Sequence, residues 1–252
     1  MLPRRAVVEL LESDAPRVDA MRIMRRACIL EALQHPAVPR VFECGRLAGQ
    51  PWVAIEHEQG TTLHDELQHR PLQVREALTL LEEIAAVLSH AHARGVLHGN
   101  VTPMAIVRAP TLRLQRWENA RVHDTELSSE MIDGCDDVFS LGKTISAALT
   151  RSELAPEALT RLLARMLATD PAMRPTSSEV VTAARSIHDA IGPIDEVDMN
   201  HLLEALAGEA DDDGPEIVID VPTVESHDDE PILLDRPRAT FQTVIVDLDA
   251  CL

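Results

Sequence analysis

The pattern of apolar and polar positions opens with RAVVELLE (5–12), an extended apolar run that predicts a strand, broken by ESDAP (12–16). From Val18 to Leu33 the residues Met21, Met24, Cys28, Leu30 and Leu33 recur at roughly helical spacing and predict a helix. Two short strands follow, VFECG (41–45) and PWVAIEH (51–57), with Gly45 and Gly49 marking their connection. After EQGTTL (58–63) the period turns helical again, and 73–94 is the longest amphipathic segment, with Gly95 as its stop. Short extended pieces are expected at 96–101, 105–109 and 112–117. Helices resume near Asp137 and run to about Ile191, punctuated by Pro171 and Pro175. Beyond Gly192 one more helix is expected within 193–209, where Val197, Leu202, Leu203 and Leu206 share a face. Residues 210–252 then form an acidic, proline-dotted stretch with two β-like islands, EIVIDVPTV (216–224) and TFQTVIVDLD (240–249). Strands with one helix first, then helices, is an α+β order with two lobes.

Composition sharpens this picture. The chain has 252 residues, 45% hydrophobic and 26% charged, enough to build a sizeable core. Its net charge is -19, and the acidity is uneven: residues 1–192 carry -4 and residues 193–252 carry -15. That balance argues against nucleic acid or an anionic membrane as a partner. With no tyrosine, three phenylalanines and two tryptophans, a base-stacking platform is not expected either. Cys28, Cys44, Cys135 and Cys251 form no CxxC pair and read as reduced thiols. No apolar run is long enough to span a membrane, and Glu9 and Glu12 interrupt any signal-peptide core, so a cytoplasmic protein is expected.

Four stretches carry a resemblance. HGNVTPMAIV (98–107), between a long helix and an LRLQ strand, resembles the H-R-D-L-K-P-x-N-I-L catalytic loop of Ser/Thr protein kinases. DVFSLG (137–142) resembles the start of that family's large helix F. LARMLATDPAMRPTSSEVV (163–181) resembles its closing helices, and LQHPAVPRVFECG (33–45) its junction between helix C and strand 4. The order of the four over residues 5–191 implies a two-lobed kinase-like fold. It has a reduced N-lobe over 1–59, in which strands 1 and 2 are absent, and a helical C-lobe over 60–192. An upstream start could supply those strands. The Arg- and Ala-rich usage, with Lys143 the one lysine, points to a bacterial source.

Chemistry must be judged residue by residue. Phosphoryl transfer in this family needs a glycine-rich loop, a strand-3 lysine paired with a helix-C glutamate, a catalytic aspartate and two metal-binding side chains. No two of the ten glycines lie closer than four residues, so no G-x-G-x-x-G exists. The resemblance puts Glu9 at the lysine position and Arg26 at the glutamate position. Either the ion pair survives with its charges exchanged, or both are solvated surface charges and the strand register shifts toward Glu12. In the first case a carboxylate faces the triphosphate, and like charges about 4 Å apart repel by roughly 4 kcal/mol at an effective dielectric near 20.

Asn100 stands at the catalytic aspartate, and an amide has no basic carboxylate to take a hydroxyl proton. Thr102 stands at the lysine that steadies the γ-phosphate. Ala105 stands at the metal-binding asparagine, and a methyl group cannot ligate magnesium. Arg116, Trp117 and Glu118 fall on D-F-G, which places a guanidinium where the cation would sit.

The framework set is retained. His98 and Asp137 match residues that tie the catalytic loop to helix F, and Gly142 closes the DVFSLG match. Trp117, Leu30 and Val41 fall on the hydrophobic spine linking the lobes. Arg174 matches an arginine that normally meets the glutamate of A-P-E, a motif not visible here. Only 21 positions separate Arg116 from Asp137 and 37 separate Asp137 from Arg174, which shortens the activation segment and leaves too little chain for helix G.

His90, His92 and His98 are close in sequence, but residues two apart on a helix do not share a face. A structural role is expected rather than a metal site, and Cys44 and Cys135 are expected as small apolar residues. The acidic runs 211–213 and 228–230 lack a calcium-loop pattern. The alternating segment Thr243, Val244, Ile245 and Val246 predicts a half-buried strand. It could dock on the bare edge of the N-lobe sheet, which is preferred, or on a partner. Thr223, Thr240 and Thr243, beside acids, are candidate phosphate acceptors.

The expectation is a pseudokinase without cofactor or metal, a regulator or scaffold for a protein partner such as an active kinase or another signalling protein. Alternatives are a divergent kinase that uses Arg116 as a counter-ion in place of magnesium, and a sensor that binds ATP without hydrolysing it.

Overall fold

The computed structural model describes residues 5–11, 16–57, 60–122, 134–149, 155–192 and 241–247. The chain begins with strand β1 (Arg5–Leu11), helix α1 (Arg17–Leu33) and the hairpin β2 (Val41–Leu47) and β3 (Gln50–Glu56). Alternation explains β1 and β3. Val53 and Ile55, two residues apart, sit directly opposite Glu9 and Val7, so these four side chains share one face. Helix α1 packs on this sheet through Ile23, Ala27, Leu30 and Leu33, spaced three to four residues apart. This corrects the expected stripe: Met21 is 64% exposed and Cys28 is also exposed, because the apolar face runs through Ile23 and Ala27 instead.

The sheet order is β2-β3-β1-β9, all antiparallel. Its fourth strand, β9 (Phe241–Asp247), comes from the C-terminal end of the chain and runs beside β1 from Arg5↔Asp247 to Leu11↔Phe241. It belongs to the same compact unit as the residues up to Ile191. The edge of β1 away from β3 is therefore filled by a strand from the C-terminal end of the chain. The alternation of β9 had predicted one buried face, yet the successive residues Val244 and Ile245 are 55% and 56% exposed. The strand is held by its ladder more than by burial of those two side chains.

The C-lobe begins with β4 (Thr61–Thr62) and α2 (Leu63–Leu67), whose first turn is capped by the Thr62 hydroxyl accepting from the Asp65 amide at 3.1 Å. Helix α3 (Val74–His92) buries nine residues around most of its circumference, which makes it the axis of this lobe. Its start is fixed by Glu76, which accepts from the Gln73 amide at 3.0 Å and from Arg70 at 2.6 and 2.7 Å. Helices α4 (Cys135–Ala148) and α6 (Ser177–Ile191) pack on α3, and α5 (Glu157–Met166) on α4 and α6. The start of α6 is a capping box written in the sequence as Thr176-Ser177-Ser178-Glu179. The Thr176 hydroxyl accepts from the Glu179 amide at 3.2 Å, and the Glu179 carboxylate accepts from the Thr176 amide at 2.7 Å.

Between these helices run β5 (Val96–Leu97), the hairpin β6 (Ile106–Arg108) and β7 (Leu112–Leu114), and β8 (Arg121–Val122). They are shorter than the extended pieces expected at 96–101, 105–109 and 112–117. Beyond Leu97 and Leu114 the backbone bonds to side chains and loop carbonyls instead of a ladder. The helix expected within 193–209 and the island 216–224 lie outside the described residues. So do Glu12, Thr223, Thr240, Cys251 and both acidic runs.

Candidate functional site

The site is organised around Asp137 in the first turn of α4. Its carboxylate is 3% exposed and accepts from the His98 amide at 2.8 Å, the Gly99 amide at 2.7 Å and the His92 ring at 2.9 Å. Burial pushes this carboxyl up, but the three hydrogen bonds outweigh burial and hold it below the ordinary 3.8. The segment that follows β5 is thereby pinned to α4 across 39 residues of sequence. His98 is fully buried. Its Nε2 meets the Gln115 carbonyl at 2.8 Å, and burial lowers its pKa below the ordinary 6.5 despite that bond. The ring is neutral and acts as a strut.

Above His98 stands Trp117, edge-on with ring centroids 4.6 Å apart, its indole N–H donating to the Leu114 carbonyl at 2.8 Å. Trp117 and Leu30 are buried in the common core, and Val41, half-buried, packs against it. The spine positions named from the sequence are thus brought together. A cleft of about 400 Å³ at the junction of α1 and β2 shares Leu30 and Val41 with them and is also lined by His35, Pro36 and Arg40.

Glu9 and Arg26 form a direct ion pair, with side chains 12% and 8% exposed. The reading of both as solvated surface charges is corrected. Strand β1 pairs Glu9 with Val53, which turns its side chain toward α1, where Arg26 projects. The Arg26 guanidinium also reaches Glu118 at 3.5 Å. The pair ties strand to helix, with the acid on β1 and the base on α1.

The residues that the resemblance sets at the chemical positions of kinases are Asn100, Thr102, Ala105 and Arg116. Asn100 is half-buried, and its backbone N–H donates to His98 Nδ1 at 3.2 Å. The Thr102 carbonyl accepts from the Ala105 amide at 2.9 Å, and the Ala105 carbonyl accepts from the Gln115 amide at 2.7 Å. Ala105 is wholly buried. Arg116 has a left-handed backbone, φ +63°, and an exposed side chain. A magnesium–nucleotide group, which the fold implies, does not fit this donor set. An amide, a hydroxyl, a methyl and a guanidinium offer no carboxylate to a divalent cation. Among the described residues, no group of three or more His, Cys, Asp or Glu gathers as a metal-holding set.

Arg174 finds partners other than a glutamate ending an activation segment. It donates to Asp136 at 3.0 Å and to the Ala168 carbonyl at 2.9 Å, and lies 4.6 Å over the Phe139 ring. Gly142 lets α4 approach α5: a Cβ there would come 2.9 Å from the Met166 Cβ.

The sequence did not reveal several linking residues. His92 stands between Asp137 and the Ser177 hydroxyl at 3.1 Å, beside Gly134, where a Cβ would strike the imidazole. His90 Nε2 meets the Leu33 carbonyl at the end of α1 at 2.7 Å. Arg113 donates to Glu56 at 2.7 Å and to the Val38 carbonyl at 3.2 Å, joining β7 to β3. Only the 90/92 spacing hinted at this: two histidines on different faces of one helix serve two neighbours. Cys44 is exposed and not a small core residue, because β2 is the sheet's other edge.

Comparison with known proteins agrees with the architecture. No family model matches the chain. Its homologues are bacterial Ser/Thr protein kinases. It is 28% identical over 61% of its length to the serine/threonine-protein kinase pkn2 of Myxococcus xanthus, and 25% identical over 62% to PrkC of Bacillus subtilis. Those matches cover 20% and 24% of the relatives, so the chain spans about a quarter or less of their lengths. The crystal structure of the Mycobacterium tuberculosis PknI kinase domain superposes with a TM-score of 0.55 at 25% identity, covering 72% of this chain and 84% of that one. The fold is that of a protein kinase. No helix among the described residues is long and apolar enough to cross a membrane.

Proposed function

We propose that this kinase-like chain is a pseudokinase: it transfers no phosphate and works as a regulatory or scaffolding module that binds a protein partner in signalling. The observation that carries this reading is a contrast within one loop. Asp137, His98 and Gly99 hold the loop as a kinase would, while Asn100, Ala105 and Arg116 occupy the positions that would take a proton and grip magnesium. The Glu9–Arg26 pair supports the same reading, because the resemblance sets its acidic member at the position of the phosphate-binding lysine. The partner is a protein, for example an active kinase, engaged through the surface between the lobes and the acidic tail.

The test is transfer of radiolabel from γ-labelled ATP to the chain itself or to a generic acceptor protein. None is expected. Label that is incorporated and then lost in Asn100→Ala would overturn the proposal.

One observation favours a second reading, a nucleotide sensor or divergent kinase. The exposed Arg116 guanidinium could pair with phosphate in the absence of a metal. Thermal stabilisation by ATP only without magnesium, abolished in Arg116→Ala, would select it.

A further inference from the structure

The two edges of the N-lobe sheet differ. Edge strand β2 has a register shift between Val41 and Glu43 and carries the exposed residues Glu43 and Arg46. Bulges and edge charges are the usual devices that stop a further strand from adding. Edge strand β9 has none of them. FQTVIVD contains no proline, glycine or lysine, pairs with β1 without a shift, and has one charge, at its last position. Among the described residues nothing pairs with its outer edge. At its centre the successive residues Val244 and Ile245 lie on opposite faces, and both are more than half exposed. An added strand gains main-chain hydrogen bonds and apolar neighbours on either face.

Charge selects the occupant. Asp228, Asp229, Glu230 and Asp235 precede β9, Asp247 ends it and Asp249 follows it; Arg236 and Arg238 are the two bases against 17 acids in a stretch of 60 residues that carries -15. A second copy would bring two such stretches together. We infer that the outer edge of β9 is a docking surface for an extended, β-forming segment of a protein partner flanked by arginine or lysine, which becomes the fifth strand of the sheet. This inference rests on the binding-module reading and names the surface and the partner chemistry for it.

The test uses the full chain and three synthetic peptides with the same alternating Val/Thr core, flanked by arginine, glutamine or glutamate. Anisotropy measures binding, and amide hydrogen exchange locates it. The arginine-flanked peptide should bind most tightly, weaken as salt rises and protect amides in 241–247. The double variant Val244→Thr, Ile245→Thr keeps β-branched residues but removes apolar contact, and should weaken that peptide by about fivefold. Three results overturn the proposal: no binding by any peptide, binding without protection of 241–247, or protection of 241–247 by self-association alone. Such a failure with no phosphate transfer leaves the pseudokinase reading standing, whereas phosphate transfer removes that reading and leaves the peptide result interpretable.

Discussion

At the residue scale, the Glu9–Arg26 ion pair is the main charged tie between β1 and α1. Burying two charges costs several kcal/mol of hydration per ion, so the pair is weak evidence of net stabilisation, but breaking it is costly. Glu9→Lys alone should lose about 3 kcal/mol in denaturant unfolding, because it faces Arg26 with a second cation in a nearly dry site. The double variant Glu9→Lys, Arg26→Glu should recover most of that loss. If the double variant is as unstable as the single one, the two residues do not act as a pair. The Asp137 and His98 network makes a second prediction. Both groups have folded pKa values below their ordinary ones, so the unfolded chain binds more protons as pH falls. Stability conferred by neutral His98 is complete above 6.5 and declines below it. The Asp137 contribution is complete above 3.8 and declines as pH falls toward its lower folded value. Melting temperature should therefore drop in two stages on acidification, and His98→Phe should blunt the first.

At the element scale, β9 and the contact between α4 and α5 each rest on one feature. Deleting residues 239–252 removes a seven-pair ladder and should lower stability by about 1 kcal/mol or more, with faster hydrogen exchange in β1. An unchanged melting temperature would mean that β9 lends the sheet no stability. Gly142→Leu forces a side chain into the space taken by Met166 and should cost about 1–3 kcal/mol. Most elements were legible from period and breakers: α3 from its long apolar repeat with Gly95 as its stop, β1 from its apolar run, and β2 and β3 from the glycines that mark their connection. The stripe of α1 holds at Leu30 and Leu33 but not at Met21 and Cys28, which look apolar yet face water. Spacing alone cannot say which of two overlapping stripes meets a sheet.

At the scale of the whole molecule, a kinase architecture is kept, and the proposed pseudokinase reading sets other chemistry at Asn100, Ala105 and Arg116. A single reversion should not create activity. Asn100→Asp supplies a carboxylate but leaves no metal ligand at Ala105 or Arg116, so incorporation of labelled phosphate should stay at background. Activity in that single variant would mean that cation binding does not depend on those two positions.

Residue identity and order bring out His98, Asn100, Ala105, Arg116 and Asp137 as candidates, because a local motif can be read from consecutive residues. They also showed that a β-forming segment lay near the C-terminal end. Only the tertiary structure decided that this segment pairs with β1, that Glu9 meets Arg26 away from water, and that His92 joins Asp137 to Ser177. Each of these contacts links residues far apart in the chain. Pairing over such separations is set by which faces remain uncovered once the core has packed, and a linear pattern does not contain that information.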